Sequence, residues 1–169
     1  MVIDIDSFIE SCASRSFQPT SEFDTKRVGK NTPLSKVLRN LLRPKVTGSG
    51  TVDEELYMLL VIKAIHDFEC KSGIIVTSRN ATLITIYALL MLVKFLTEDH
   101  YHDINKIWAN ALSIKLACFN QLEAVFLFKT RFCIPDHKEA IDFVNEANFE
   151  SKPMKISLEH IRAPKLVGF

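Results

Sequence analysis

Residues 81–96, ATLITIYALLMLVKFL, are apolar on every side of a helix except for two threonines and one lysine, Lys94. A helix that is apolar all round is either a membrane span or the buried axis of a helical domain. A span needs about 20 apolar residues with few or no charges. This run is closed by Lys94 and then by Glu98, Asp99 and His100. It is too short to span, and it predicts the core helix of a soluble domain around which the other helices pack.

Lys94 is then a problem in its own right. Stripping water from an ammonium is costly, so lysine is almost never fully buried without a partner. From the last turn it can lay its methylenes along apolar neighbours and bring its tip to the surface, where it complements the negative end of the helix dipole. The second reading is a charge held at the rim of an apolar patch for a partner. Spacing alone leaves both open.

The flanking sequence supplies further helices. Ile5, Phe8, Ile9 and Cys12 fall at i, i+3, i+4, i+7 and predict a short amphipathic helix, docked or frayed. Residues 18–31 are polar, with Phe23 as the one anchor. Thr32 and Pro33 read as an N-cap followed by proline at the first helical position, opening a helix that carries Leu34, Val37, Leu38, Leu41 and Leu42 and stops before Pro44. Residues 47–50, TGSG, form a turn and lack the glycine spacing and lysine of a phosphate loop. Thr51 with Glu54 makes a capping box for a helix running to Glu69. Residues 72–78, SGIIVTS, have strand propensity but no partner strand, and predict a buried connecting loop. Ser78 or Asn80 caps the central helix.

Beyond it, the turn TEDHYHD leads to a short helix, Ile104 to Ala111, holding the only tryptophan, Trp108. Ser113 is the expected cap of the next helix, to about Lys129, whose core-like residues are Leu116, Phe119, Leu122, Phe126 and Leu127. Glu123 lies on or beside that apolar stripe, so its carboxylate must reach a donor, a rim or a partner. Phe132 to Pro135 breaks the helix. Asp136 starts a last amphipathic one through Ala140, Phe143, Val144 and Ala147, and a tail follows from Ser151. No repeat and no low-complexity segment is present.

Composition narrows the functional classes. With 47% hydrophobic residues, 169 residues predict one domain with a sizeable core. A net charge of +1 without a dense basic run offers no field for nucleic acid or an anionic membrane. Asp4 and Asp6 stand where a secretory signal is positive, and four cysteines lie far apart without a C-x-x-C pair, so cytoplasm or nucleus is the expected setting. Cys118 is expected to pack on an apolar helix face as a reduced thiol. His100 and His102, with Asp99 or Asp103, are a weak metal pattern, and no nucleophile elbow, zinc-protease helix or calcium loop is present. No catalytic residue, cofactor site or metal site is predicted.

The stretch LLMLVKFLTEDHY, followed by DINKIWANALSI and FNQLEAVFLFKTRF, resembles the cyclin box, and is most similar to the single-box Pho-type (P/U) cyclins. The resemblance runs from Thr32 to Phe149 and is densest from Thr77 to Phe132. It combines a lysine–phenylalanine pair, an aspartate–tyrosine turn, a short helix, a serine–isoleucine cap and an Asn-x-Leu-Glu helix. Ala111-Leu112 stand where that class usually has two glycines.

The resemblance implies an all-α, cyclin-box fold: a five-helix bundle around a buried central helix, with extra N- and C-terminal helices. It places an N-terminal extension at 1–31, the box at 32–149 and a tail at 150–169. The implied function is a regulatory, non-enzymatic subunit, monomeric when alone, that binds and activates a cyclin-dependent protein kinase by stabilising its active C-helix conformation. Lys94 and Glu123 match the family residues that grip the kinase near that helix, with Phe95 and Leu127 as apolar contacts. On that basis both charges are partner-directed and matter little to the fold; the opposing possibility is a buried ion pair between them. The competing reading is a helical adaptor, or a cyclin-fold relative of transcription factors, for a non-kinase partner. The residues taken after Phe132 are too few for a second box.

Overall fold

The computed structural model describes residues 4–13, 21–24, 33–43, 53–96 and 103–146. Seven helices, and no strand, lie among them: α1 (Ile5–Ala13), α2 (Leu34–Leu41), α3 (Glu54–Ser72), α4 (Ala81–Leu96), α5 (Ile104–Ala111), α6 (Leu116–Lys129) and α7 (His137–Glu146). The all-α bundle around a buried central helix, with additional helices at both ends, is as the residue pattern implied.

The all-round apolar run becomes α4, buried from Leu83 to Val93. Thr85, wholly buried, satisfies its hydroxyl by donating to the Ala81 carbonyl one turn back. Helix α3 packs along α4 and carries α7 on another side, while α1, α2 and α6 also pack on α4. The amphipathic α1 is docked: Ile5, Phe8 and Cys12 are in the core. Asp6 accepts from the backbone N–H and the hydroxyl of Ser35, so α1 caps the first turn of α2. Phe23 is fully buried, edge-on to Phe68 and Phe126 at 5.5 and 6.2 Å, and Phe68 stacks on Phe126 at 5.1 Å. These rings sew a short turn and helices α3 and α6 into one aromatic cluster.

Several local expectations are corrected. Helix α2 begins at Leu34 with Pro33 as its N-cap; Thr32 lies outside the described residues. Helix α3 is capped by Asp53, whose carboxylate accepts from Leu56 N at 3.1 Å, and it runs on to Ser72 rather than ending at Glu69. Asp53 is the nearer acceptor three residues before that N–H, and Thr51 lies outside the described residues. Gly73 ends α3 at φ 71°, a left-handed conformation that glycine adopts without the Cβ clash. Residues 73–77 are the expected connecting loop, with Val76 and Thr77 buried. Asn80 turns its side chain back into that loop, accepting from Thr77 N and donating to the Ile75 carbonyl, in place of capping α4 forward.

Ser113 is not the cap of α6. It stands exposed in the turn with φ 55°, and α6 starts after Lys115 with no side-chain cap. Leu112 is right-handed, so the position where the turn favours glycine is Ser113 rather than Ala111 or Leu112. Leu116 is 40% exposed and Cys118 is exposed, so neither packs in the core. Both lie on flanks of α6 that turn away from the bundle. Asp136 accepts from Lys138 N and Glu139 N, opening α7 as expected. The turns at 47–50 and 97–102, with His100 and His102, and the tail at 150–169 lie outside the described residues. Among those described, no single helix is long and apolar enough to cross a membrane.

Candidate partner-binding site

Two buried contacts bring the site together. Tyr87 on α4 donates its hydroxyl to the Phe119 carbonyl on α6 at 3.1 Å, with the two rings 5.1 Å apart. Lys94 lies two turns beyond Tyr87 on the same face of α4, and Glu123 one turn beyond Phe119 on α6. The faces that bury the two rings therefore deliver the two charges to one place. Burial, with the nearby Cys118 and Glu123 as smaller contributors, pushes the Tyr87 phenol well above its ordinary value.

Lys94 Nζ donates to Glu123 Oε1 at 2.5 Å. The lysine side chain is 32% exposed and the glutamate 13%, so the pair sits at the rim with its acidic member turned inward. The expectation that each charge faces a partner on its own is thereby revised, since each is the other's counter-ion. The physical reason is the burial that raised the question: a nearly enclosed carboxylate needs donors from its own chain. The second glutamate oxygen, Oε2, accepts from Asn105 Nδ2 on α5 at 2.5 Å, and the same amide donates to Asn120 Oδ1 at 2.8 Å. Helices α5 and α6 are bent by 111° across the 112–115 turn, which folds Asn105 back toward Glu123. Three helices thus converge on one carboxylate.

Phe95 and Leu127 occupy the same two helices, each partly buried and packed against the core. The outer side of α6 beside them is short of charge: Ala117, Gln121, Ala124 and Phe128 are exposed in a line, and Phe128 is 78% exposed. Phe132, at 59%, follows in the left-handed turn after α6. Asn105 and Asn120 were missed from the sequence, because an asparagine off the apolar stripe reads as a solvated side chain. Their only signal was the proximity of Asn120 to Glu123, three residues apart on one helix face. Among the described residues no group of three or more His, Cys, Asp or Glu is placed to hold a metal, and all four cysteines are free thiols.

Residues 6–134 match the family model described as Cyclin. That span is well over half of the chain and takes in helices α2 to α6 and α1 from its second residue; the chain belongs to the cyclin family. Its role is accordingly of the general regulatory type. Searches of curated proteins and of solved structures gave no match.

Proposed function

We propose that this chain is the regulatory subunit of a cyclin-dependent protein kinase, of the single-box Pho type, acting as a non-catalytic partner in the cytoplasm or nucleus. The observation that carries the reading is the Lys94–Glu123 pair, half-enclosed at the edge of an apolar, charge-poor helix face. A paired lysine with N–H groups to spare offers donors to a partner's carbonyls or carboxylates, and the adjoining Phe95 and Leu127 offer apolar area. Such a surface supplies differential binding energy for one kinase conformation, with the C helix turned inward and its glutamate on the catalytic lysine. It performs no chemistry itself. Free in solution the chain is a monomer, and nucleic acid and membrane play no part.

Titration of the purified chain against a set of purified cyclin-dependent kinases, with phosphate transfer to a substrate read alongside, tests this. One kinase should bind and gain activity. Lys94→Ala and Glu123→Ala should each weaken that binding by about 2–5 kcal/mol, as truncating one partner of a desolvated charge contact does. The folding effects should differ. Lys94→Ala leaves the nearly enclosed Glu123 carboxylate without its cation and should cost about 3 kcal/mol or more, whereas Glu123→Ala strands the Asn105 donor and should cost about 1–3 kcal/mol. If both variants unfold early yet bind normally per folded molecule, the pair is core electrostatics alone. If a non-kinase protein is the stoichiometric partner and no kinase binds, the chain is a helical adaptor.

A further inference from the structure

We infer that Asn105 is the positioning residue of this contact, holding the Glu123 carboxylate so that Lys94 is presented in one orientation. The inference rests on the partner-binding reading above and deepens it.

The geometry assigns the role. A carboxylate with one donor can swing about its side-chain torsions and carry its cation with it. Glu123 has a donor on each oxygen, Lys94 on Oε1 and Asn105 on Oε2, and the two come from different helices. The same Asn105 Nδ2 also donates to Asn120 Oδ1 on α6, so both of its N–H groups are committed to that helix. The bond to Glu123 is charge-assisted, the stronger kind of hydrogen bond. Asn105 Oδ1, by contrast, is buried with no hydrogen-bond partner. A buried acceptor left unpaired is costly, so the amide's orientation is dictated by its donor end, which faces Glu123. An isosteric aspartate would put a second carboxylate against Oε2, and a leucine would leave it without its second donor. The position therefore demands a short neutral donor.

The chain can be examined with and without kinase. In the free wild-type chain, the Lys94 ammonium hydrogens should exchange slowly enough to give a distinct side-chain NMR signal. In Asn105→Ala they should exchange faster, and the variant should lose roughly tenfold in affinity for the kinase per folded molecule. Asn120→Ala changes an exposed residue and leaves folding intact; it should move both quantities the same way by less, roughly threefold in affinity. Unchanged ammonium exchange in Asn105→Ala would overturn the inference, and so would a lowered unfolding midpoint with wild-type affinity. If the wild-type chain binds no kinase, the functional reading falls while the exchange measurement still decides the role of Asn105.

Discussion

Helices α4 and α6 look alike on paper and behave differently in the fold. Both are apolar nearly all round, and each carries one charge that the apolar pattern does not explain, Lys94 in α4 and Glu123 in α6. In α4 every residue from Leu83 to Val93 is buried. In α6 only Phe119 and Phe126 are, while Phe128, two residues on, is 78% exposed. An all-round apolar helix is therefore not by itself a core helix. In α4 the neighbours α1, α2, α3 and α6 supply apolar surface on several sides, whereas α6 is covered by α3, α4 and α5 on one side and bare on the other. Apolar area left bare on this helix, next to a satisfied ion pair, is the surface on which the proposed kinase contact rests.

The sharpest test of the contrast is within α6. Phe126→Ala should cost about 3–5 kcal/mol of stability, the range for an enclosed aromatic that leaves a cavity. A small loss there would mean that α6 is peripheral throughout. For α4, Leu89→Ala should cost about 2–5 kcal/mol in chemical denaturation. A value near zero would show that the central helix relaxes around a void and is less tightly packed than its burial indicates.

The contact between the two helices has a pH signature. Burial holds the Tyr87 phenol above its ordinary value and pushes Tyr57 up to about 12. Both are raised above the unfolded value near 10, so the stability they contribute is complete below about pH 10 and is lost as pH climbs toward and past 12. The unfolding midpoint should fall steadily across that window. Tyr87→Phe should flatten the fall and, at neutral pH, cost about 0.5–1.5 kcal/mol for the lost bond to the Phe119 carbonyl. An alkaline profile identical to wild type would remove Tyr87 from the account. The smallest effect belongs to the bare side of α6: Phe128→Ala should shift stability by no more than about 0.5 kcal/mol. A larger loss would mean that Phe128 is covered in the folded chain and that α6 resembles α4 after all.

The central helix was legible from residues 81–96 alone, because an unbroken apolar run that stops short of a membrane span has few other places to go. Ile5, Phe8 and Cys12 marked α1 as amphipathic but left its docking to the tertiary structure, and Phe23 was recognisable as an anchor because it is the one aromatic residue in a polar segment, 18–31. The charges at Lys94 and Glu123 were legible as anomalies, since desolvation makes any charge on an apolar face conspicuous. Their pairing with each other was not, because that depends on how α4 and α6 cross, and on the Tyr87–Phe119 contact that sets the crossing. Asn105 was invisible for the same reason: a short polar side chain has no periodicity, and only the 111° bend between α5 and α6 gives it a carboxylate to hold. The caps divided similarly. Asp136 was readable because its acceptor serves N–H groups two and three residues away, whereas Ser113 is set by the backbone turn it sits in, where φ is 55°. Sequence carries what hydrophobic periodicity and short-range hydrogen bonding decide. Which apolar face stays bare, and which polar atoms meet across helices, is decided by packing between segments distant in the chain.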